Sequence, residues 1–388
     1  MLSPLAHRAL ERAGLGDLRD KVLAGQRLSE ADAVRLFRSP DLGALGALAS
    51  HVREARHGDL AFYNKNLHLN FTNVCVATCK FCSFARPDDR GASEGYTMSL
   101  EASVEHVLRR KGSGITEVHI VNGLHPDLPW SHYLDVVRRI REAWPEIHVK
   151  AYTAVEIHFF AEKFGKDYRA VLEELLAAGL TTLPGGGAEI FASRVRRKIC
   201  DDKATADQWL EVHRVAHRLG VRSNATMLYG TIETLEERVD HMARLRRLQD
   251  ETGGFQVFIP LAFHPEHNMI GKAYPKPTGY DALRTYAVAR LFLDNFDHLK
   301  AYWITIGERL AQTALSFGVD DLDGTVLEER IYHMAGADTP QAMSEGQLHR
   351  LIRSAGRVPA ERDSLYRVLA VHRPAEPAPP GARPEARA

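Results

Sequence analysis

The chain has 388 residues, 45% of them hydrophobic, and its 50 basic and 50 acidic residues leave no formal net charge. This length and hydrophobic content are enough for a full-size core and one large catalytic unit. A balanced charge gives no basic surface for nucleic acid or for an anionic membrane. The N-terminal residues are too charged for a signal peptide, and no apolar stretch is long enough to predict a membrane span. We therefore expect a cytoplasmic protein without nucleic-acid or membrane partners.

The first predicted elements are helices. Ser29, with Asp32 three residues later, is typical of a capped helix start, and we expect residues 1–58 to form an N-terminal helical extension. From residue 59 to 340, short apolar segments alternate with longer amphipathic ones, which is typical of an α/β protein with a parallel sheet. The candidate strands are LHLNFTNVC, EVHIVNG, HVKAYTA, TTLPGGG, RSNATMLYG, GFQVFIPLAF, LKAYWITIG and VDDLDGT. These eight units predict a (β/α)-barrel of the TIM-barrel type.

Two segments follow the predicted barrel. We expect residues 341–372 to form a C-terminal helical segment. The tail, residues 373–388, is rich in proline and alanine and is typical of disorder.

Three of the four cysteines, Cys75, Cys79 and Cys82, lie close together, whereas Cys200 is far away. Thiolates are the soft ligands that iron-sulfur clusters need. A structural zinc site normally takes four ligands, and no nearby histidine has the spacing of a zinc-finger ligand. A cubane cluster held by three thiolates keeps one iron free for an outside ligand. The spacing therefore favours an iron-sulfur site over a zinc site.

Polar residues follow the candidate strands, where barrel enzymes place their chemistry. His125 follows the second strand, Glu156 the third, and His264 and Asn268 the sixth. These four are candidates for catalysis or substrate contact. The alternatives stay open, because a buried glutamate in a barrel is often a structural acceptor and a lone histidine is more often structural than catalytic.

A glycine-rich segment, LPGGGAEI, follows the fourth strand. Three glycines let the backbone approach a ligand closely. Glu189 could accept hydrogen bonds from ribose hydroxyls, and Arg194 or Arg196 could pair with a carboxylate in a bidentate manner. The arginines could instead lie on a solvated helix face.

The pattern Cys75-x-x-x-Cys79-x-Phe81-Cys82 resembles the signature of the radical S-adenosylmethionine (SAM) superfamily. The resemblance implies a [4Fe-4S] cluster whose open iron chelates SAM, and cleavage of SAM to methionine and a 5′-deoxyadenosyl radical. It also places Phe81 and Gly123 beside the cofactor, although Asn122-Gly123 replaces the usual pair of glycines.

The segment from Thr226 to Glu233 has the spacing of the superfamily's adenine-contacting G-x-I-x-G-x-x-E pattern, with threonine for the first glycine. The resemblance therefore places Leu228 and Glu233 beside SAM. Thr231 departs from the relatives that this chain resembles, which commonly have a histidine at that position.

Longer segments, among them GLHPDLP, KAYTAVEI, LPGGGAEI and FIPLAFHP, are together similar to the aminofutalosine synthases of the futalosine route to menaquinone. This resemblance implies addition of the 5′-deoxyadenosyl radical to 3-[(1-carboxyvinyl)oxy]benzoate, followed by rearrangement and decarboxylation, which gives 6-amino-6-deoxyfutalosine and methionine. It also implies a low-potential electron donor of the flavodoxin or ferredoxin type. The related dehypoxanthine futalosine cyclases are the alternative, and an iron-sulfur electron carrier is a third reading.

Overall fold

The computed structural model describes residues 2–89 and 94–373. Its helices are α1 (Pro4–Arg12), α2 (Gly16–Leu23), α3 (Glu30–Arg38), α4 (Leu42–His57), α5 (Leu100–Leu108), α6 (Trp130–Ala143), α7 (Ala154–Phe164), α8 (Tyr168–Ala178), α9 (Ser193–Ile199), α10 (Ala206–Arg218), α11 (Leu235–Thr252), α12 (Gly279–Phe292), α13 (Trp303–Ile306), α14 (Glu308–Ala314), α15 (Ile331–Met334) and α16 (Glu345–Ser354). Its strands are β1 (Leu60–Asn64), β2 (Asn66–Leu69), β3 (Glu117–Ile120), β4 (His148–Ala151), β5 (Ser223–Tyr229), β6 (Phe255–Ala262), β7 (His298–Leu299), β8 (Asp321–Gly324), β9 (Val358–Arg362) and β10 (Val368–Val371).

Eight parallel segments of the described chain form a closed ring. Two three-stranded sheets, one of β2, β3 and β4 and the other of β5, β6 and β7, supply six of them. Residues 182–183 bridge β4 to β5, β8 bridges to residue 300 just after β7, and Leu327 after β8 bridges to Leu67 in β2. The ring confirms the predicted (β/α)-barrel, and each of its segments overlaps one of the eight candidate strands.

The strands of the barrel are buried on both faces. Every residue of β5 is buried, and so is every residue of β2. Parallel strands in a barrel are covered by helices on the outer face and by other side chains on the inner face. This double burial explains why the strands read as apolar runs in the sequence.

The longer helices begin at recognisable caps. The hydroxyl of Ser29 accepts from the backbone N–H of Asp32, and the Asp32 carboxylate accepts in return from Ser29 N–H, which confirms the predicted start of α3. The same reciprocal arrangement begins four other helices, at Thr153, Thr205, Thr234 and Ser344. None of the described helices has the length and apolar content that crossing a bilayer requires.

The N-terminal helices pack on the outside of the barrel. Helix α3 contacts α11 and α12, and α4 contacts α12. The Arg56 guanidinium at the end of α4 donates to the carbonyl of Asp294 at 2.7 Å. The chain then enters β1, which pairs with β8 and β9. The boundary at residues 58 and 59 stays a prediction.

The segment 341–372 corrects the sequence-based expectation. It contains helix α16, but β9 and β10 follow, so the segment is not wholly helical. Strand β9 pairs in parallel with β1, from Leu60 opposite Val358 to Tyr63 opposite Glu361. The partner strand lies at the other end of the sequence, and local periodicity cannot reveal such a pairing. The predicted disordered tail lies outside the described residues, apart from Arg373.

Candidate active site

The barrel encloses a cavity of about 230 Å³. Successive strand residues point to opposite faces, so alternate residues of β5 and β6 face this cavity. They are Asn224, Thr226, Leu228, Ile259, Leu261 and Phe263. Phe81, Cys82 and Ser83 complete the lining from the segment after β2, residues 70–86, which we call the cysteine loop. The cysteine loop therefore opens on the interior of the barrel.

Backbone hydrogen bonds hold the cysteine loop in place. The N–H of Cys75 donates to Arg86 O at 2.9 Å, and that of Lys80 donates to Ile199 O, at the end of α9, at 2.9 Å. Such bonds fix the loop from within and from the neighbouring helix. The conformation that presents the thiols is thus built into the fold.

Gly123 lies directly beneath the cysteine loop. A Cβ at this position would lie 2.2 Å from the carbonyl oxygen of Val74. The N–H of Gly123 donates to Thr72 O at 3.0 Å. Only glycine permits this approach between the loops after β2 and β3. The structure therefore gives Gly123 a role in shaping the cysteine loop, while its predicted contact with SAM stays a prediction.

The three thiols suit an iron-sulfur cluster. Burial raises the pKa of Cys75, and it raises that of Cys79 to about 12. A buried thiolate is unfavourable alone, whereas a bound metal deprotonates a coordinating thiol outright. Cys75, Cys79 and Cys82 are the residues that would hold a cluster here.

Lys203 lies beside Cys79, and no sequence pattern predicts it. Its ammonium pairs with the Glu189 carboxylate and lies 5.2 Å from the centre of the Phe81 ring. Burial acts to lower the pKa of Lys203, but the charges of Cys79 and Glu189 outweigh it and raise the pKa. Lys203 is thus a fixed positive charge next to the cysteines. It stands in a short polar stretch between α9 and α10, where a lysine is ordinarily solvated.

Glu189 reaches the cavity through an unusual backbone. Its φ of 49° lies in the left-handed region, which is uncommon for residues other than glycine. Its carbonyl accepts from Leu228 N–H at 3.0 Å, which fixes the segment against β5. Gly187, two residues earlier, has φ 85°, and a Cβ there would lie 2.3 Å from the Val155 side chain. The glycine-rich segment therefore lets Glu189 line the cavity.

Four of the residues predicted to contact cofactor or substrate line the cavity together with Cys82: Phe81, Glu189, Leu228 and His264. The His264 Nε2 lies 2.8 Å from the carbonyl oxygen of Thr305. A carbonyl only accepts, so Nε2 carries the proton and Nδ1 is an acceptor in the neutral ring. Burial lowers the pKa of His264.

Two of the other three candidate catalytic residues, His125 and Asn268, shape their own loops. The His125 Nδ1 accepts from the N–H groups of Asp127 at 3.0 Å and Leu128 at 3.2 Å. The Asn268 side-chain amide donates to His264 O at 2.8 Å. Neither side chain belongs to the cavity lining. Their predicted chemical roles stay predictions.

Glu156 is a buried structural acceptor. Its carboxylate accepts from Thr153 N–H at 2.8 Å and from Asn122 N–H at 3.0 Å. Burial raises its pKa to about 7. Glu156 thus joins the start of α7 to the loop after β3. This geometry favours the structural alternative left open by the sequence.

The two arginines after the glycine-rich segment point away from the cavity. Arg194 is half exposed and pairs with Glu237 at 2.6 Å, on the outside of the barrel. Arg196 is buried and donates to the carbonyls of Ala188, at 2.8 Å, and Ala204. Arg194 therefore fits the alternative reading, in which the arginines lie on a solvated helix face. Arg196 instead ties the glycine-rich segment to the stretch that contains Lys203.

Glu233 holds the loop after β5. Its carboxylate accepts from Gly230 N–H at 2.6 Å and from Arg238 Nε at 3.0 Å. The Thr231 hydroxyl also donates to it at 2.8 Å. Glu233 therefore fixes the loop after β5. Thr231, where the relatives commonly have a histidine, takes part in the same hydrogen-bond network.

Two buried ion pairs line the cavity and were missed by the sequence reasoning. Lys150 pairs with Glu117 at 2.6 Å, and Lys300 pairs with Asp323 at 2.8 Å. Both lysines lie within otherwise apolar strand segments, HVKAYTA and LKAYWITIG. A lysine in a buried strand is rare without a partner. A lysine within an apolar strand segment was therefore the signal in the sequence that could have revealed both ion pairs.

Three buried polar atoms in the cavity lining have no hydrogen-bond partner among the described residues. They are His68 Nε2, Asn224 Oδ1 and His264 Nδ1. Nearly all buried polar atoms in proteins are paired. Together with the lysines, they mark the cavity as a site for a polar ligand.

Comparisons with known proteins agree with this site. Residues 69–245 match the model of the radical SAM superfamily, and residues 252–375 match that of the CofH/MqnC C-terminal region. An aminodeoxyfutalosine synthase of Thermus thermophilus is 50% identical over 368 residues, which cover 94% of this chain and 98% of that protein. One of Streptomyces coelicolor is 44% identical, covering 93% and 96%.

A solved structure shares the fold. The crystal structure of methylornithine synthase (PylB) matches with a TM-score of 0.70 and 18% identity, covering 88% of this chain and 97% of that one. The barrel, the cysteine loop and the sequence relatives lead to one conclusion. The chain belongs to the radical SAM superfamily and, within it, to the aminodeoxyfutalosine synthase family.

Proposed function

We propose that the chain forms 6-amino-6-deoxyfutalosine from SAM and 3-[(1-carboxyvinyl)oxy]benzoate in menaquinone biosynthesis. Identity to two aminodeoxyfutalosine synthases over nearly the whole chain carries this proposal. The cavity supports it, because the cysteine loop and unpaired polar atoms open on one enclosed space.

The cofactor end of the cavity is the cysteine loop. Cys75, Cys79 and Cys82 hold the [4Fe-4S] cluster. When bound, the cluster supplies the electron that cleaves SAM, after reduction by a low-potential flavodoxin- or ferredoxin-type protein. Glu189 accepts from SAM hydroxyls, while Lys203 holds that carboxylate in place.

The substrate carries two carboxylates, which require positive charge or hydrogen-bond donors. The ammonium of Lys150 uses one of its three N–H groups in its bond to Glu117, and that of Lys300 uses one in its bond to Asp323. The remaining donors are available to the substrate. The carboxylate beside each lysine offsets part of the cost of burying the ammonium group.

His264 is the residue that we place against a substrate carboxylate. Its lowered pKa keeps the ring neutral near pH 7, with Nδ1 as an acceptor. A carboxylate beside Nδ1 favours the protonated ring, because an opposite charge raises the pKa of a histidine. Binding therefore draws a proton from solvent onto Nδ1, where it donates to the carboxylate and holds it in place.

Isotope transfer tests the reaction. Addition keeps the adenosyl carbons in the product, so SAM labelled in its ribose should deliver the label into 6-amino-6-deoxyfutalosine, with little free 5′-deoxyadenosine. Mass spectrometry of the products after reduction with dithionite measures this distribution. Stoichiometric labelled 5′-deoxyadenosine, with dehypoxanthine futalosine as the substrate consumed, would instead identify the cyclase.

Matched variants connect the reaction to the site. Cys79→Ala should lose SAM cleavage with the barrel still folded, whereas Cys200→Ala, at another buried cysteine, should keep it. His264→Ala should slow product formation by roughly 100-fold while SAM affinity stays unchanged. An equal loss of SAM affinity in His264→Ala would place the histidine on the cofactor instead.

A further inference from the structure

A second group of metal-ligating side chains lies away from the cavity. Glu345 and His349 stand four residues apart on one face of α16, His372 follows β10, and Tyr63 lies on β1. Candidate ligand atoms of Glu345, His349 and His372 all lie within 4.8 Å of one another. We call these four residues the Tyr63 cluster. Tyr63 precedes β2, whereas the cysteine loop follows that strand, so the cluster and the active site lie at opposite ends of it.

The phenol oxygen of Tyr63 lies between the other three side chains. It is 2.7 Å from Glu345 Oε1, 2.8 Å from His349 Nε2 and 3.1 Å from His372 Nε2. The same Glu345 oxygen lies 3.7 Å from His349 Nε2 and 3.8 Å from His372 Nε2. Four donor atoms, two of nitrogen and two of oxygen, thus converge from three separate segments of the chain.

These separations suit a tetrahedral ion. Zinc bonds to histidine and carboxylate of about 2.0 to 2.1 Å place neighbouring donors about 3.3 to 3.4 Å apart. The distances from Glu345 to the two histidines lie a few tenths of an ångström above that value, and those from Tyr63 lie below it. Small side-chain adjustments therefore complete the geometry, because no backbone has to move.

The Tyr63 cluster is also accessible from solvent, and its short hydrogen bonds join its own members. The side chains of Glu345 and His372 are 38% and 31% exposed, so an ion reaches them from solvent. The positive charge of Lys65, 3.8 Å from Glu345, is already paired with Glu361 at 3.0 Å. Among the residues that the structure describes, both histidine Nε2 atoms have short contacts only to the Tyr63 oxygen. A cation entering the cluster therefore replaces hydrogen bonds to a phenol and breaks no strong ion pair between charged groups.

A comparable group elsewhere lacks these properties. His57, His298 and Asp320 also lie within ligand distance of one another. Asp320, however, is already bound to the Arg290 guanidinium and to His298 Nδ1, the latter at 2.6 Å. His57 Nε2 donates to Asp297 O at 2.8 Å. Its donors are used within the protein, so that group is structural.

We propose that Glu345, His349 and His372 bind one divalent transition-metal ion, with the Tyr63 oxygen as the fourth donor. Two imidazoles and one carboxylate are a ligand set that zinc takes in proteins, and imidazole donors disfavour calcium and magnesium. The ion joins α16 and the end of β10 to β1. It therefore fastens the C-terminal strands to the amino end of the barrel.

Zinc titration of the cluster-loaded, full-length chain tests this site. Calorimetry should show one equivalent of Zn²⁺ bound, and differential scanning fluorimetry should show a melting temperature that rises with zinc concentration. His372→Gln and Glu345→Gln should each weaken zinc binding by more than about 100-fold, since changes even beyond the direct ligands cost roughly 10- to 100-fold. Both should abolish the zinc-dependent shift.

His51→Ala is the matched control, because it removes a histidine of α4 that belongs to neither ligand group. It should bind zinc as the unaltered chain does. Iron is measured before and after each titration, because zinc could displace the iron-sulfur cluster. The proposal is overturned if no single equivalent binds, if both substitutions leave affinity unchanged, or if zinc uptake is matched by iron loss.

Discussion

The Lys203 and Glu189 pair places opposite charges beside the cysteine loop, and both side chains are nearly buried, at 5% and 10% exposure. Taking two charges out of water is costly, and each charge depends on the other for compensation. The pair also fixes the carboxylate that we assign to SAM. Stability and cofactor binding therefore depend on the same two residues.

Lys203→Met should destabilise the chain by about 3 to 5 kcal/mol, because it leaves a buried carboxylate without its partner. Glu189→Gln should also destabilise, and the double variant should recover most of the loss. Urea unfolding at pH 7 measures the free energies. Arg169→Ala, at an exposed pair with Glu173, is the control and should cost less than about 1 kcal/mol. Additive losses in the double variant would contradict the coupling.

Glu156 makes stability depend on pH. Its pKa is about 7 in the folded chain, above the ordinary value of 4.5, because it is buried. Between these values the folded state holds more protons than the unfolded state, so stability falls as pH rises. The shift corresponds to about 3 kcal/mol over this range.

Glu156→Gln should remove this dependence, since glutamine keeps a carbonyl acceptor but does not titrate. The difference in unfolding free energy between the unaltered chain and Glu156→Gln should therefore change between pH 4.5 and 7 and level off above it. Other groups cancel in that difference. A difference that stays constant with pH would mean that Glu156 is ionised throughout.

Sequence reasoning can locate a candidate residue where its position follows from its neighbours in the chain. The spacing of Cys75, Cys79 and Cys82 is local, and so is the strand-end position of His264. The place of Lys203 in the site could not be predicted, because its partners, Cys79 and Glu189, come together only in the folded barrel. Arg196 was expected at a ligand for its charge, but buried backbone carbonyls occupy its guanidinium.

At the scale of elements, the cysteine loop and the loop after β3 pack so closely that Gly123 has no room for a side chain. A Cβ there meets the Val74 carbonyl, and backbone cannot yield as a flexible side chain can. The positions of the thiols therefore depend on a residue that need not touch the cofactor.

Gly123→Ala should displace the cysteine loop and lower the iron bound after reconstitution several-fold, with a loss of about 1 to 3 kcal/mol in stability. Iron analysis and circular dichroism separate loss of the site from loss of the fold. Gly43→Ala is the control, because a Cβ in α4 would meet only the Asp41 carboxylate, at 3.6 Å. Full iron content in Gly123→Ala would show that the loops can separate.

The barrel strands were predictable because strands that are buried on both faces consist largely of consecutive apolar residues. The C-terminal segment was mistaken for helix because β9 depends on β1, which a local pattern cannot show. Pairing with a distant strand overrides local preference in such segments.

At the scale of the whole molecule, the ring closes where β2 meets the end of β8. The Asn66 side-chain oxygen accepts from Val326 N–H at 2.8 Å, and Leu327 N–H donates to the Asn66 carbonyl at 3.1 Å. His68 N–H donates to Leu327 O at 2.8 Å. Asn66 thus joins the first and last strands of the barrel through both its side chain and its backbone.

Asn66→Ala should leave the buried N–H of Val326 without a partner and cost about 1 to 3 kcal/mol. Hydrogen exchange should accelerate at Val326 and Leu327 more than at β5 on the far side of the ring. Asn268→Ala, whose amide bonds within its own loop, should not change exchange at this seam. Uniform acceleration across all strands would show that the seam does not open separately.

The position of β1 has a consequence for synthesis. It is synthesised before its partners β8 and β9, which follow it in the chain by about 260 and 300 residues. Until then, the apolar residues of β1 and β2 lack the strands that cover them, and exposed strand edges of this kind attract chaperones and other nascent chains. The cysteine loop, which continues β2, therefore reaches its final geometry only after β8 and β9 have been synthesised.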